Sequence, residues 1–225
     1  MDMPLDITEL PPWDEIDTVL LDVDGTLLDL AFDTRFWSEV IPASYARMHG
    51  VSVEEAARRI GPLFKSREGT LDWYCIEFWS GELQLDIPTL KRAESERVSW
   101  LPGAQDFLRK LRAKGKRTAI VTNAHPVTLH IKDERVGVTR YVDVAYSSHS
   151  LGAPKEDPRF WADLQQIEPH DPSRTMFVDD SPAVLAAARA AGIQYIYAVT
   201  HPDSSRTARE HPGFPTIQSV AELIL

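Results

Sequence analysis

Two aspartates one residue apart, Asp22 and Asp24, close the apolar run "TVLLDV" and are followed at once by Gly25 and Thr26. Unpaired carboxylates at the end of a buried strand are costly unless something nearby compensates them. Three later stretches offer partners: Thr122-Asn123, Lys155 in "GAPKED", and Asp179-Asp180 in "FVDDS". Like charges ~4 Å apart repel by about 4 kcal/mol at an effective dielectric of ~20, so Asp22 and Asp179 resist ionising side by side. A hard, oxygen-seeking divalent cation such as Mg²⁺ removes that conflict; it is commonly held by one or two carboxylates plus phosphate oxygens. With metal and Lys155 neutralising a phosphoryl group, one carboxylate can attack phosphorus and a second can protonate the departing alkoxide.

These residues need elements to hold them. Residues 18–23, 117–122, 141–146, 175–179 and 195–199 read as buried strands, apolar and rich in β-branched or aromatic side chains. Between them lie helical patterns. Ala104, Phe107, Leu108 and Leu111 share one face before the stop at Gly115, and Ser181-Pro182 opens "AVLAAARAA" before Gly192. Strand–helix alternation predicts an α/β fold with a Rossmann-like parallel sheet, and ligands of such sheets bind beyond the carboxyl ends of the strands. Every candidate residue above falls at or just past such an end.

One block breaks the alternation. Residues 30–100 contain no good strand; Ser52 to Glu55 reads as a capping box, and Leu71, Tyr74, Cys75 and Phe78 fall on one face of a further expected helix. The expected organisation is an α/β core of residues 1–29 and 101–225 with a helical cap of residues 30–100 inserted.

Taken singly, each motif has a plainer reading. A D-x-D pair is often a turn or cap, Thr122-Asn123 is ordinary turn chemistry, a lone lysine is usually a solvated one, and Asp179-Asp180-Ser181-Pro182 suits any helix start. Trp37, Trp73 and Trp79 have the size to stack on a base, but aromatics at helical spacing more often form core. His125, before Pro126, stands either as a cap neighbour or within reach of substrate, and Cys75 reads as a small buried side chain. The joint order of the core motifs at four successive strand ends favours chemistry.

Acids outnumber bases 34 to 24 and no dense Lys/Arg block occurs, which argues against nucleic acid as a partner. No apolar run approaches a membrane span, and the acidic N-terminal stretch does not read as a signal peptide. The single cysteine fits a reducing, cytoplasmic setting.

"DVDGT" (22–26), "VTNA" (121–124), "PKED" (154–157) and "FVDDS" (177–181) together resemble, in order, the four motifs of the haloacid dehalogenase superfamily of phosphotransferases. The resemblance implies Asp22 as nucleophile and Asp24 as general acid and then base. Thr122, Asn123 and Lys155 would bind the phosphoryl group. Mg²⁺ would be held by Asp22, the Asp24 carbonyl and Asp179, with Asp180 supporting. "LLDLAFD" (27–33), "LDWYC" (71–75), "TNAHP" (122–126), and "VTHPDS" (199–204) further resemble bacterial purine-monophosphate nucleotidases acting on GMP and IMP, whose Asn-Pro-Asp-Ser pattern reads His201-Pro202-Asp203-Ser204 here. The expectation is a Mg²⁺-dependent phosphomonoesterase of small-molecule substrates. A sugar-phosphate phosphatase or phosphomutase of the same superfamily, and a catalytically silent binding protein, stand as alternatives.

Overall fold

A computed structural model describes residues 11–223; residues 1–10, with most of the acidic N-terminal stretch and the start of the expected core, and residues 224–225 lie outside it. Six parallel strands form one sheet: β1 (Thr18–Leu21), β2 (Arg117–Thr122), β3 (Val144–Ser147), β4 (Thr175–Asp179), β5 (Tyr195–Val199) and β6 (Thr216–Ile217), in the order β3-β2-β1-β4-β5-β6. The chain crosses from one side of β1 to the other between β3 and β4. The carboxyl ends of β1 and β4 therefore flank the switch point at which such sheets bind ligands.

The sheet's alternation divides the core. Val19 and Leu21 of β1 pack on one face with Ile120, Met176 and Val178, covered by Phe107, Leu108 and Leu111. Leu20 points the other way, into a cluster with Ala119, Val121 and Phe177 covered by Phe160, Leu164, Val184 and Leu185. Both faces are dry, which explains why these strands read as continuous apolar runs. The third strand lies at 144–147 rather than 141–146, because Val138–Tyr141 coils into a 3₁₀ turn and delays pairing. The two-residue β6 carries too little pattern to be read from sequence and is placed by pairing Ala198 with Thr216.

The α-helices between β1 and residue 100 are α1 (Ala31–Arg35), α2 (Ile41–His49), α3 (Val53–Arg67), α4 (Leu71–Tyr74), α5 (Ile76–Leu83) and α6 (Ile87–Ala93), with a π-helical turn at Phe36–Val40 joining the first two. They share an apolar cluster of their own around Phe36, Ile41, Ile60, Ile76, Trp79 and Leu83. Ser52 caps α3 as its sequence implied, accepting the Glu55 N–H at 3.2 Å. The single helix expected across Leu71–Phe78 is in fact two. Cys75 is extended (φ −86°, ψ 106°) and its sulfur accepts the Phe78 N–H at 3.4 Å, so the residue caps α5 instead of continuing α4. The segments leading into and out of this helical block lie side by side: Asp29 N–H donates to Ser99 O and Leu101 N–H to Leu27 O, both at 2.9 Å.

The rest of the α/β core is completed by α7 (Ala104–Ala113), α8 (Pro126–Val136), α9 (Ser148–Leu151), α10 (Pro158–Ile167) and α11 (Pro182–Ala190). Among the described residues, no helix is long and apolar enough to cross a membrane.

Candidate active site

Asp22 follows the last residue of β1 and stays in the sheet's register, its N–H donating to Val178 O at 3.0 Å. Asp179 ends the neighbouring β4. Between the two carboxylates sits the ammonium of Lys155, 2.5 Å from Asp22 Oδ1, 2.6 Å from Asp179 Oδ2 and 3.1 Å from the Val121 carbonyl. Lys155 comes from the loop after α9 and is only 2% exposed, which rules out the reading of a solvated surface lysine. Its backbone is held at both ends: Asn123 Oδ1 accepts its N–H at 2.9 Å, and the Trp161 indole donates to its carbonyl at 2.8 Å.

Charge crowds this point. Burial raises the Asp22 pKa to about 6, with the Asp179 charge adding to the rise and Lys155 opposing it. Burial likewise raises Asp179 against Lys155, and raises Asp180 well above its ordinary value with help from the Asp179 and Asp22 charges. Burial disfavours the Lys155 ammonium, but Asp179 and Asp22 outweigh it and hold the amine charged. Three carboxyl groups thus face two cations, Lys155 and an Arg209 whose Nη1 is 3.0 Å from Asp180 Oδ2. Every donor the acids offer is oxygen, and the set is short of positive charge. A hard divalent cation such as Mg²⁺ fits that chemistry.

The second aspartate of the pair lies in a different field. Asp24 Oδ1 accepts from Lys132 Nζ at 2.5 Å, and the same ammonium is 2.5 Å from Asp33 Oδ2. Lys91, from α6, closes the chain at 2.5 Å from Asp33 Oδ1. Burial lifts the Asp24 pKa to about 6 against the pull of Lys132, with the Asp33 and Asp22 charges adding to the rise. Burial alone would raise Asp33 too; Lys132 and Lys91 overcome it and hold that carboxyl far below its ordinary range. Asp24 is thus poised to gain or lose a proton near neutrality, while Asp33 stays ionised.

Gly25 allows the chain to turn between these fields. Its φ of +89° is left-handed, and a Cβ there would stand 2.8 Å from Pro202 Cβ and 2.9 Å from Asp180 Cγ.

Other residues singled out from sequence fall in varied places. Thr122, at the end of β2, is buried and accepts the Ala124 N–H at 3.0 Å, leaving its hydroxyl proton to donate elsewhere. Asn123 is nearby but engaged: besides holding Lys155, its amide donates to Glu156 Oε2 at 2.9 Å. His125 caps α8, its Nδ1 accepting the Val127 N–H at 3.3 Å. Trp79 is buried in the helical block with its indole donating to Trp73 O at 2.9 Å, so it is core and has no face for a ligand. Trp37 and Trp73 are half-buried and pack edge-on against Phe64, at 5.6 and 6.0 Å between ring centres.

Several polar residues around these acids were not assigned a role from sequence. Asp33, Lys91 and Lys132 are separated by 58 and 99 residues along the chain. Tyr74, at the end of α4, donates to Glu156 Oε1 at 2.7 Å and so reaches from the helical block to the group that holds Asn123. Asp203 is 2% exposed and accepts from Thr34 Oγ1 at 2.6 Å, while Pro202 O takes the Leu30 N–H and Asp29 Oδ1 the Ser204 N–H, tying the loop after β5 to the start of α1. Only the quoted "LLDLAFD" and "VTHPDS" hinted that these two segments matter.

Parallel topology, acids at the switch point and a buried lysine between them define a class of hydrolase. A family model for haloacid dehalogenase-like hydrolases matches residues 16–192, and the chain belongs to that family. It is a phosphatase of that family: it is 39% identical over 212 residues to the GMP/IMP nucleotidase YrfG of Escherichia coli (strain K12), covering 94% of this chain and 96% of that protein. It is also 30% identical to a phosphoglycolate phosphatase of Nitrosospira multiformis, over 79% of this chain and 80% of the relative. Among solved structures, a HAD phosphatase from Thermococcus onnurineus shares the fold with a TM-score of 0.77 at 22% identity, over 92% of this chain and 96% of that one.

Proposed function

We propose that the protein is a Mg²⁺-dependent phosphomonoesterase that hydrolyses purine nucleoside 5′-monophosphates, GMP and IMP, to nucleoside and inorganic phosphate. The observation that carries the chemistry is the Asp22–Lys155–Asp179 contact, with Asp24 two residues beyond Asp22 and paired with Lys132. Asp22 attacks phosphorus through a carboxylate oxygen, and the ester P–O bond breaks. Asp24 gives its proton to the departing alkoxide. The same carboxylate then takes a proton from water, whose oxygen attacks the acyl phosphate and frees Asp22 and inorganic phosphate. Thr122 and Lys155 donate to the phosphoryl oxygens, while Asn123 holds the Lys155 backbone in place. Asp22, the Asp24 carbonyl and Asp179 would hold Mg²⁺, which supplies charge neutralisation of the phosphoryl group and of the crowded acids. The helical block of residues 30–100 acts as a cap that excludes water and selects the alcohol.

Support for the purine reading comes from the near-full-length likeness to the E. coli nucleotidase, which runs through the helical block as well as the core. GMP and IMP carry a 6-oxo group where AMP carries an amino group. A donor facing that oxygen would be left unpaired by AMP, a loss of about 1–3 kcal/mol, or roughly 5- to 150-fold. The test is kcat/KM for GMP, IMP, AMP, UMP, phosphoglycolate and glucose 6-phosphate at one Mg²⁺ concentration. GMP and IMP are expected to lead. AMP equal to IMP would remove the 6-oxo argument, and a lead for phosphoglycolate or glucose 6-phosphate would move the assignment to those esters.

A further inference from the structure

A second group of donors offers sulfur and nitrogen in place of oxygen. Cys75, His125 and His149 each present a ligand atom, and these atoms all lie within 4.8 Å of one another. They come from three places: the break between α4 and α5, the start of α8, and α9. The first belongs to the helical block and the other two to the α/β core.

The surroundings suit a metal better than they suit a resting hydrogen-bond network. His149 Nε2 is buried with no hydrogen-bond partner, although an imidazole nitrogen in that position ordinarily finds one. The Cys75 sulfur already accepts the Phe78 N–H at 3.4 Å, a donor that also suits a thiolate. The His125 and His149 rings meet edge to face with centres 4.7 Å apart. Glu77 Oε2 is 3.9 Å from His125 Nε2 on a side chain 72% exposed, free to swing in as a fourth ligand.

We propose that Cys75, His125 and His149 form a second metal site, selective for a thiolate-seeking divalent cation such as Zn²⁺ and bridging the helical block to the core. Zinc is held tetrahedrally at about 2.3 Å from sulfur and about 2.0–2.1 Å from imidazole nitrogen, so binding draws the three side chains closer by roughly an ångström. Binding releases one proton, from the Cys75 thiol. His125 accepts the Val127 N–H through Nδ1, so its neutral ring carries its proton on Nε2. Ligation through Nε2 moves that proton to Nδ1 and gives up this long 3.3 Å contact. The oxygen-only cluster of Asp22, Asp179 and Asp180 prefers a hard ion, so the two sites separate metals by ligand type.

The test is titration of the full chain with Co²⁺ in excess Mg²⁺, followed by the thiolate-to-cobalt charge-transfer absorption. One Co²⁺ per chain is expected to produce that band, and Zn²⁺ to remove it. Cys75→Ser should abolish the band, and His149→Ala should weaken binding by roughly tenfold or more. Asp179→Asn should leave the band intact, since it alters only the acid cluster. The chain has a single cysteine, so a second readout needs no variant: Zn²⁺ should slow alkylation of Cys75 by iodoacetamide. Absence of the band, its persistence at unchanged affinity in His149→Ala, its loss in Asp179→Asn, or alkylation at the same rate with and without Zn²⁺ would each overturn the proposal.

Discussion

The Lys132 ammonium donates to the Asp24 carboxylate at 2.5 Å, and the same nitrogen reaches Asp33 at the start of the helical block. Lys132 is 1% exposed, so the cation is withdrawn from solvent, while the Asp24 side chain remains 21% exposed. It fixes Asp24 in one orientation and links it to the first helix of the helical block.

Lys132→Met should therefore act on both stability and chemistry. Asp24 keeps 21% of its side chain exposed, so leaving it without its cation costs less than the about 3–5 kcal/mol of a fully buried broken pair. Turnover of a nucleotide should fall by roughly 10²-fold if Asp24 loses its geometry as a proton donor. In single-turnover phosphorylation, p-nitrophenyl phosphate should lose less, because its leaving group needs little protonation. Equal losses for both esters would mean that Lys132 serves only the fold.

Asp22→Asn should abolish turnover in a chain that still folds, since an amide is a far poorer nucleophile. Circular dichroism establishes the fold and phosphate release the activity. Turnover within tenfold of the parent would remove Asp22 from the nucleophile's role.

The same variant yields a pH prediction. The Asp22 carboxyl is raised from its ordinary 3.8 to about 6, so the folded state binds this proton more tightly than the unfolded chain. Its contribution favours folding at low pH and is lost as pH rises from about 4 to 6. In EDTA, the Tm of Asp22→Asn minus that of the parent should climb across this window and level off above it. Saturating Mg²⁺ should shrink the difference by compensating the ionised Asp22. A difference that stays flat from pH 4 to 7 in EDTA would contradict the crowded-acid picture.

Metal removal gives an independent check on the acid cluster. EDTA should stop turnover and Mg²⁺ restore it, whereas thiol-specific alkylation of Cys75 should not reproduce that loss. Full turnover in chelated buffer would refute the oxygen-only site.

Tyr74→Phe tests the contact between helical block and core. The hydroxyl donates to Glu156, and a hydrogen bond to a charged group is worth about 1.5–3 kcal/mol. If that bond holds the helical block against the core, KM should rise by roughly 10-fold with a smaller change in kcat. A loss confined to kcat would instead place the effect on Asn123 and Lys155, through Glu156.

Much of this protein is local enough to be written in its sequence. Doubly buried strands must be apolar along their whole length, so β1, β2, β4 and β5 announce themselves. Parallel topology then sends the residues after them to one edge, and Asp22, Thr122 and Asp179 fall there by chain order alone. Ser52 and Pro182 mark helix starts because capping depends on neighbours a few residues away. What tertiary structure decided is the pairing of charge across long separations. That Lys155 sits between two acids instead of in solvent depends on how the loop after α9 folds over the strand ends; that Lys132 and Lys91 are buried against Asp33, and that Tyr74 reaches Glu156, depend on how the helical block lies against the sheet. The break at Cys75 has the same origin. A helical pattern continues through it, but the sulfur caps α5 and Tyr74 finds a partner in the core only if the chain turns there. Periodicity records which side of an element is apolar; it holds no record of which buried polar groups from distant elements will meet, because that is fixed only when packing removes the water between them.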